Sequence, residues 1–371
     1  MLWKTFGGSL IVAAIGLALG LLYGGPTGLA VVAILAVLEV SLSFDNAVVN
    51  ATVLVRMSAF WQKIFLTVGV AIAVFGMRLI FPLLIVGITA KLTPAEAIRL
   101  ALEKGDPKQH GTYGYLLHQA HPAIAAFGGV FLLTLFLDFI LEEREITWLS
   151  WLERPLARIG KLDQLSVVIT LVALAVSAYE LAPSDKVSTV LLSGTLGMVT
   201  YLAVNGLGEF FDTDDDAVEH AGGEVHVATG GGKAVVLAVG KAAFFLFLYL
   251  EVLDASFSFD GVVGAFAITS DPIVIAIGLG IGAMFIRSLT VYLVRKGTLA
   301  EYVYLEHGAL WAIGALAVVL LLTMRFEVPE VVTGLLGVGF IGAALVSSIV
   351  RNRRAGVEDE AGGRDREPAA V

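Results

Sequence analysis

Five acidic residues of this sequence lie within long apolar segments, where an ionised side chain is costly. They are Glu39, Asp45, Glu251, Asp254 and Asp260. An acidic residue at the centre of a membrane helix costs roughly 2.5–3.5 kcal/mol, so five independent ones would cost roughly 12–18 kcal/mol. A native fold is stable by only about 5–15 kcal/mol. We therefore expect these side chains to face one another or a wet cavity, where they are protonated, paired or bound to a cation.

Neutral oxygen donors accompany these carboxylates along the chain. Asn46 directly follows Asp45, and Ser43 and Ser258 each precede an aspartate by two residues. The sequence contains no Cys, which excludes thiolate ligands. Carboxylate, amide and hydroxyl oxygens suit a divalent cation such as Mn²⁺, Ca²⁺ or Mg²⁺. The predicted ligands are Glu39, Asp45, Asn46, Glu251, Asp254 and Asp260, with Ser43 and Ser258 as accessory donors. A buried acid cluster that shares protons and has a structural role is the alternative.

The acidic motif occurs twice, in segments that would cross a membrane in opposite directions. Residues 39–45 and 254–260 both read acid, x, Ser, x, Ser, Phe, Asp. In each case a lone arginine follows in the next apolar segment, and a histidine begins the one after that. The arginines are Arg78 and Arg287, and the histidines are His121 and His307. This order predicts an inverted repeat with one site near the membrane midplane, as in many secondary transporters; chance similarity between apolar segments is the alternative.

The roles of the repeated basic residues are open at this point. Arg78 and Arg287 either pair with the carboxylates when no metal is bound or extend their charged ends to the membrane interface. His118 and His121 are three residues apart and have the spacing of a zinc site on one helix face. The alternative is an interfacial position without metal, and His121 and His307 would then serve a proton relay or an entry site.

Composition predicts an all-α, polytopic membrane bundle. Charged residues make up 15% of the chain and hydrophobic residues 57%, whereas soluble domains are about 25% charged. Apolar length, with about 20 residues needed per span, indicates about ten spans. These are approximately 7–24, 28–55, 61–90, 119–141, 165–182, 187–209, 242–269, 272–294, 308–324 and 330–350.

The two motif segments are longer than one span requires, which predicts broken helices. Glu39 and Asp45 would lie about 120° and 9 Å apart on an ideal helix. A break at residues 41–43 would bring them to one site, and a break at 256–258 would do the same for Asp254 and Asp260. Broken helices also expose backbone carbonyls that can coordinate cations.

Loop composition predicts the topology and the domain organisation. The loops on the side of the N-terminus carry most of the Lys and Arg, so both termini are expected to be cytoplasmic. Residues 1–350 form one transporter-like domain with repeat halves at about 28–141 and 242–324, and the polar segment 351–371 is expected to be a disordered tail. The acidic loop 209–226 is interpreted as solvated. The net charge of −9 argues against nucleic acid as a partner, which leaves the lipid bilayer and metal ions; the sequence does not indicate an oligomeric state.

The two acidic motifs resemble those of a known family. The stretch Glu39-Val-Ser-Leu-Ser-Phe-Asp45-Asn46 is similar to the first signature of TerC-type integral membrane proteins, and Glu251-Val-Leu-Asp254-Ala-Ser-Phe-Ser-Phe-Asp260 is similar to the second. The likeness covers about residues 28–345 and is greatest to an uncharacterised bacterial branch of the family. It implies a bacterial cytoplasmic membrane protein linked to metal homeostasis, with manganese export and tellurium resistance as the associated activities. Two departures are Gly261, where the first repeat has Asn46, and the additional acid Glu251.

These observations together predict a divalent metal cation transporter. The expected activity is export of Mn²⁺, as the substrate, by alternating access in exchange for protons or another ion. A membrane platform that binds metal and delivers it to partner or exported proteins without net transport is the rival hypothesis. A membrane hydrolase built on His118, His121 and the acidic residues is a third hypothesis. The sequence has neither a Walker A motif nor His-Glu-x-x-His, and we expect the protein not to be an enzyme.

Overall fold

The structure is a computed structural model that describes residues 2–103, 105, 108–162, 164–219, 227–230, 233–269, 271–296 and 301–364. Within these ranges, the side chains of Asp45, Ser258 and Asp260 lie outside the described part, as do all side chains from 207 to 236. The predicted solvated loop 209–226 therefore falls where at most the backbone is described.

The described chain is helical apart from one short hairpin. Its helices are α1 (Leu2–Leu42), α2 (Phe44–Leu54), α3 (Ala59–Ile64), α4 (Phe81–Thr89), α5 (Pro94–Leu102), α6 (Tyr113–Leu141), α7 (Ser150–Ile159), α8 (Leu165–Glu180), α9 (Val187–Glu219), α10 (Gly240–Ile268), α11 (Pro272–Lys296), α12 (Leu305–Leu322) and α13 (Glu330–Arg364). The strands β1 (Val227–Gly230) and β2 (Lys233–Val236) form an antiparallel pair between α9 and α10. The backbone of α13 is helical well into the segment for which a disordered tail was expected.

Seven of the described helices are long and apolar enough to cross a membrane. They comprise residues 5–41, 59–89, 113–141, 187–206, 272–296, 305–322 and 332–354. The protein is therefore a multi-pass membrane protein, while the count of ten spans stays a prediction. Three differences account for the lower number: the first two predicted spans are joined as the two arms of the single helix α1, α8 has only 16 residues, and α10, with its three acidic residues, is not among the seven.

Helix α1 folds back on itself at Gly25. This residue has φ 63° and ψ −156°, a conformation that glycine tolerates because it has no Cβ, and Pro26 follows it. The two arms of α1 then pack closely: a Cβ built on Gly28 would lie 2.5 Å from the carbonyl oxygen of Gly20. In a straight helix these residues would be about 12 Å apart, so α1 is a helical hairpin.

The span 59–89 contains two π-helical segments, Phe65–Gly69 and Ile72–Ile80, between α3 and α4. A π-helix widens the turn and displaces backbone groups from the regular ladder of hydrogen bonds, and it frequently occurs at functional sites. Arg78 belongs to the second π-helical segment. The sequence analysis had no signal for this distortion.

The predicted helix break is present in the first motif and absent from the second. Helix α1 ends at Leu42, and α2 begins at Phe44 after Ser43, whose φ and ψ are −97° and 17°. In contrast, α10 runs without interruption through residues 256–258, so the prediction of a second broken helix was wrong. Ser256 donates its hydroxyl hydrogen to the carbonyl oxygen of Val252, one turn earlier, and Ser41 makes the same bond to Val37 next to the break in the first motif. The serines alone therefore do not determine where the helix breaks.

The core places the two motif segments next to each other. Helix α11 packs along α1, and α10 packs against α9, α6 and the 59–89 span. The largest cluster of buried apolar side chains joins α2, α6, α9, α10 and α12. The buried acids therefore lie among several helices rather than towards lipid.

The close approach at the α1 hairpin gives a testable prediction. We expect Gly28→Ala to lower the free energy of unfolding by about 1–3 kcal/mol, because the backbone carbonyl of Gly20 has no room to move away from the new methyl group. Gly24→Ala is the matched control, since a Cβ at Gly24 has no neighbour within 4 Å. Thermal unfolding midpoints in detergent compare the two; equal midpoints would contradict the close packing of the arms.

Candidate functional site

Glu39 and Arg78 form a buried ion pair. Glu39 is 1% exposed near the end of α1, and Arg78 is 5% exposed. Arg78 Nη2 donates to Glu39 Oε1, and the hydroxyl of Ser43 donates to the same oxygen at 3.1 Å. Arg78 Nη1 donates to the carbonyl oxygen of Ala73 at 2.6 Å. The π-helical segment thus supplies both the arginine and a carbonyl that orients it.

A second cluster contains Glu251, Asp254 and Arg287. The two acids are three residues apart on α10 and share one face of the helix. Arg287 Nη2 lies 3.5 Å from Glu251 Oε1 and 3.4 Å from Asp254 Oδ2. Arg287 Nη1 donates to the carbonyl oxygen of Phe65 at 3.1 Å, and its guanidinium lies 3.9 Å from the centre of the Phe65 ring. All three charged side chains are buried.

Glycines provide the space in which Glu39 and Glu251 contact the other half of the chain. A Cβ on Gly282 of α11 would overlap Cβ and Cγ of Glu39, and one on Gly261 of α10 would lie 3.1 Å from Glu39 Oε2. Likewise, a Cβ on Gly69 would lie 2.5 Å from Glu251 Oε1. The departure at Gly261 therefore has a physical reason, because the carboxylate of Glu39 occupies the space that a side chain there would need.

The two clusters belong to one electrostatic system. Arg78 interacts electrostatically with Asp254 as well as with Glu39. Two buried atoms of the site, Arg78 Nε and Glu251 Oε2, have no hydrogen-bond partner among the described residues. Within the described residues no three His, Asp or Glu side chains are grouped as metal ligands. The carboxylates of Asp45 and Asp260 are not part of that search.

The structure decides some of the open questions about individual residues. Both arginines pair with carboxylates, which is the first of the two alternatives. Asn46 is buried on α2, directly after Asp45, whose side chain lies outside the described part together with those of Ser258 and Asp260. The assignment of these residues as metal ligands stays a prediction.

The histidines lie away from the arginine–carboxylate clusters. His118 and His121 line a separate cavity of about 450 Å³ near the beginning of α6, with Asp185 and Glu327. His307 is buried on α12 near the other end of α6, and its Nδ1 lies 3.3 Å from the carboxylate of Glu153. His121 and His307 therefore lie near opposite ends of α6, and their role in a proton relay or an entry site stays a prediction.

Asn50 and Glu153 are among the buried polar residues that the sequence analysis missed. Asn50 is 1% exposed, and neither atom of its amide has a hydrogen-bond partner among the described residues. It lies one turn after Asn46 on α2, so the spacing Asn46-x-x-x-Asn50 was the available signal. Glu153 is also buried, but its segment has the charge content of a loop, which gave no indication of burial.

A cavity leads to Arg78 from the end of the bundle where α6 begins. Its volume is about 270 Å³, and its lining is mostly apolar, with side chains from α4, α5, α10 and α11. Arg287, in contrast, is covered by a buried apolar cluster at the end of the bundle opposite to this cavity. This cluster consists of Leu54, Met57, Phe65, Phe247 and Leu250. The two arginines therefore differ in access.

Helix α5 forms one wall of the cavity and begins with a capping box. The carboxylate of Glu96 accepts hydrogen bonds from the backbone nitrogen of Thr93 at 2.8 Å and from its hydroxyl at 2.7 Å. These hydrogen bonds hold the pKa of Glu96 below its usual value, so the cap is charged at neutral pH. These hydrogen bonds stabilise the N-terminal end of α5, which forms the wall of the cavity.

Comparison with known proteins yields one family. Residues 44–355 match the model of a family described as "Protein of unknown function (DUF475)". Neither a curated protein nor a solved structure matches the chain. The family match makes no assignment to the TerC-type proteins, so that resemblance continues to rest on the two acidic motifs.

The buried ion pair gives a second testable prediction. We expect Glu39→Gln to destabilise the protein by about 3–5 kcal/mol, because Arg78 would keep a buried charge without its partner. The double variant Glu39→Gln with Arg78→Gln should recover part of this loss, since no charge is then left unpaired. Arg99→Gln is the control, because its ion pair with Glu103 is exposed and such pairs contribute little. Unfolding of all four proteins in detergent gives the comparison, and a double variant no more stable than the single one would contradict the pairing.

Proposed function

Because this chain belongs to the DUF475 family, whose function is unknown, its activity has to be inferred from its own residues, and we propose that it is a divalent metal cation transporter. Mn²⁺ is the preferred substrate, and the TerC-like motifs support export across the bacterial cytoplasmic membrane. Under this proposal the protein contributes to metal homeostasis, and any tellurium resistance follows from it.

The observation that carries the proposal is an excess of acidic over basic residues in the motif segments. Five carboxylates belong to these two segments. Among the described side chains, Glu39 is paired with the arginine Arg78, and Glu251 and Asp254 share the arginine Arg287. Five minus two leaves three negative charges when every acid is ionised. Burial of uncompensated charge is unfavourable, so the site favours a divalent cation or protons. The absence of thiols and the presence of amide oxygens favour a hard or borderline cation.

The arrangement of the ion pairs supports one site between two inverted halves. Arg78 pairs with Glu39 of its own half, and Arg287 pairs with Glu251 and Asp254 of its own half. The glycine crevices then bring both sets of acids to the boundary between the halves. Under this proposal Asp45 and Asp260 are the primary ligands, with Glu39, Asp254 and Glu251 as further ligands or proton carriers, and Asn46 and Asn50 as neutral donors.

The arginines provide a mechanism for exchange. In the absence of metal, each guanidinium neutralises the carboxylates of its half. A divalent cation that enters the site competes with the guanidinium for the same oxygens, and the released arginine returns when the cation leaves. Protons that bind the remaining carboxylates also neutralise them when no metal is bound. Because the metal displaces these protons, metal movement is coupled to proton movement in the opposite direction.

The difference in access between the two arginines supports alternating access. The cavity beside Arg78 opens at the end of the bundle where α6 begins, which the distribution of Lys and Arg assigns to the outside. The apolar cluster around Phe65 closes the opposite end over Arg287. We take this conformation as the outward-accessible one. In the inward-accessible conformation the cavity beside Arg78 would be closed, and the apolar cluster over Arg287 would open.

Transport is tested by Mn²⁺ flux into sealed proteoliposomes. We expect flux in the wild type and none above protein-free vesicles for Asp45→Asn combined with Asp260→Asn, because the variant keeps the shape of both side chains and removes their charge. Glu103→Gln, on the exposed end of α5, is the control and should retain flux. Tight Mn²⁺ binding without flux of any divalent cation would reject transport in favour of the metal-delivery platform.

The access proposal is tested with single cysteines, because the chain has none of its own. Ala101 is buried and lines the cavity beside Arg78, whereas Ala243 is buried at the opposite end. We expect a membrane-impermeant thiol reagent added outside to modify Ala101→Cys and not Ala243→Cys. Saturating Mn²⁺ should slow the first reaction. Equal rates at both positions, or modification of Ala243→Cys from outside, would contradict the proposed access.

A further inference from the structure

Helix α7 is a short amphipathic helix with an apolar surface that none of the described residues covers. It follows α6 and precedes α8. Its 10 residues extend about 15 Å, half of the roughly 30 Å hydrocarbon core, so it does not span a bilayer. Trp151 is 74% exposed and Ile159 is 53% exposed.

Three kinds of residue follow one another around α7. With 100° per residue, Glu153 and Ala157 form the inner face and are buried. Arg154 and Arg158 come next and are exposed. Trp151, Pro155 and Ile159 form the outer strip, within about 80° of one another. Leu162, just after the helix, is 63% exposed and extends the strip.

Glu153 fixes this orientation. Its carboxylate accepts hydrogen bonds from the backbone nitrogens of Trp148 at 3.0 Å and Leu149 at 3.2 Å, which caps the beginning of α7. The same carboxylate accepts a hydrogen bond from Trp311 Nε1 at 3.2 Å and lies 3.3 Å from His307 Nδ1 on α12. The rotation of α7 about its axis is therefore determined by the helical core.

The two arginines beside the apolar strip have no acidic partner among the described residues, although acids are close. Glu142 pairs with Arg144 at 2.5 Å, and Glu143 pairs with Lys161 at 2.9 Å. Glu153 is engaged with α12, and Glu145 also has a partner. Arg154 and Arg158 make no hydrogen bond or ion pair with any described residue. Both arginines are therefore exposed cations at the edge of an apolar surface, without an anionic partner among the described residues.

We propose that α7 lies in the membrane interface and binds anionic phospholipid headgroups through Arg154 and Arg158. An apolar strip bordered by basic residues is the pattern of helices that lie in the plane of a membrane surface. Helix α7 follows α6, which is long and apolar enough to cross a membrane, and precedes the shorter apolar helix α8, and this position favours the level of the headgroups for its strip. Guanidinium groups bind phosphate oxygens in a bidentate manner. This inference does not depend on metal transport.

The experiment uses a fluorophore attached to Ile159→Cys in the full-length protein, reconstituted into vesicles. Brominated phosphatidylcholine should quench it, because Ile159 would contact acyl chains. Unbrominated phosphatidylglycerol, added as competitor, should relieve the quenching at lower fractions than unbrominated phosphatidylcholine does. Arg154→Gln with Arg158→Gln should reduce this preference by roughly 5-fold per arginine, and the corresponding Lys variants should retain most of it.

Each other outcome of this experiment overturns the proposal. No quenching by brominated lipid would show that α7 is not in the membrane. Quenching with no preference for phosphatidylglycerol would reduce the interaction to apolar contact alone. Loss of the preference in the presence of inorganic phosphate would indicate a site for free phosphate. A label at Ser150→Cys, on the side of the inner face, is the control for depth and should be quenched less, with monodisperse elution showing that each variant is folded.

Discussion

The constraint on which this structure depends is the cost of charge inside an apolar bundle. A carboxylate or a guanidinium surrounded by hydrocarbon is stable only when an opposite charge and hydrogen-bonding groups are held beside it. Here the partners come from different helices: Glu39 on α1 meets Arg78 on the 59–89 span, and Arg287 on α11 meets Glu251 and Asp254 on α10. The packing of these helices and the neutralisation of their charges are therefore one requirement.

The irregular features of the helices serve this requirement. The π-helical segments of the 59–89 span present the carbonyls of Phe65 and Ala73 to the two arginines. The break at Ser43 supplies a hydroxyl to the carboxylate of Glu39. Gly69, Gly261 and Gly282 provide the space in which the carboxylates cross between halves. A regular helix with larger side chains at these positions would separate the charges that now meet.

The helices that carry the paired charges are also connected to helix α7 at the membrane surface. Metal exchange requires that the paired charges separate and meet again, so the helices that carry them have to move relative to each other. Helix α12 takes part in the core beside α6 and is tied to α7 through Glu153. A lipid-bound α7 would thus hold one end of the bundle at a defined depth in the membrane while the halves rearrange.

Much of the fold and part of the site were predictable from residue types and spacing. The membrane class follows from apolar length, and a helix is present in each of the ten predicted segments. The repeated motif identified Glu39, Asp254, Arg78 and Arg287 as residues of a buried charged cluster, because a charged residue in an apolar membrane segment has to be paired or solvated within the protein. The break at Ser43 was also correctly predicted.

Other features depend on contacts that are distant in sequence. The sequence by itself determined which charges have to be buried, since their cost comes from the apolar segments that contain them. Only the tertiary structure decided their partners, the continuity of α10, the π-helical segments, and the burial of Asn50 and Glu153. The physical reason is that a broken turn, a crevice at a glycine or a buried carboxylate is stabilised by atoms of other helices, and their positions are set by packing rather than by local spacing.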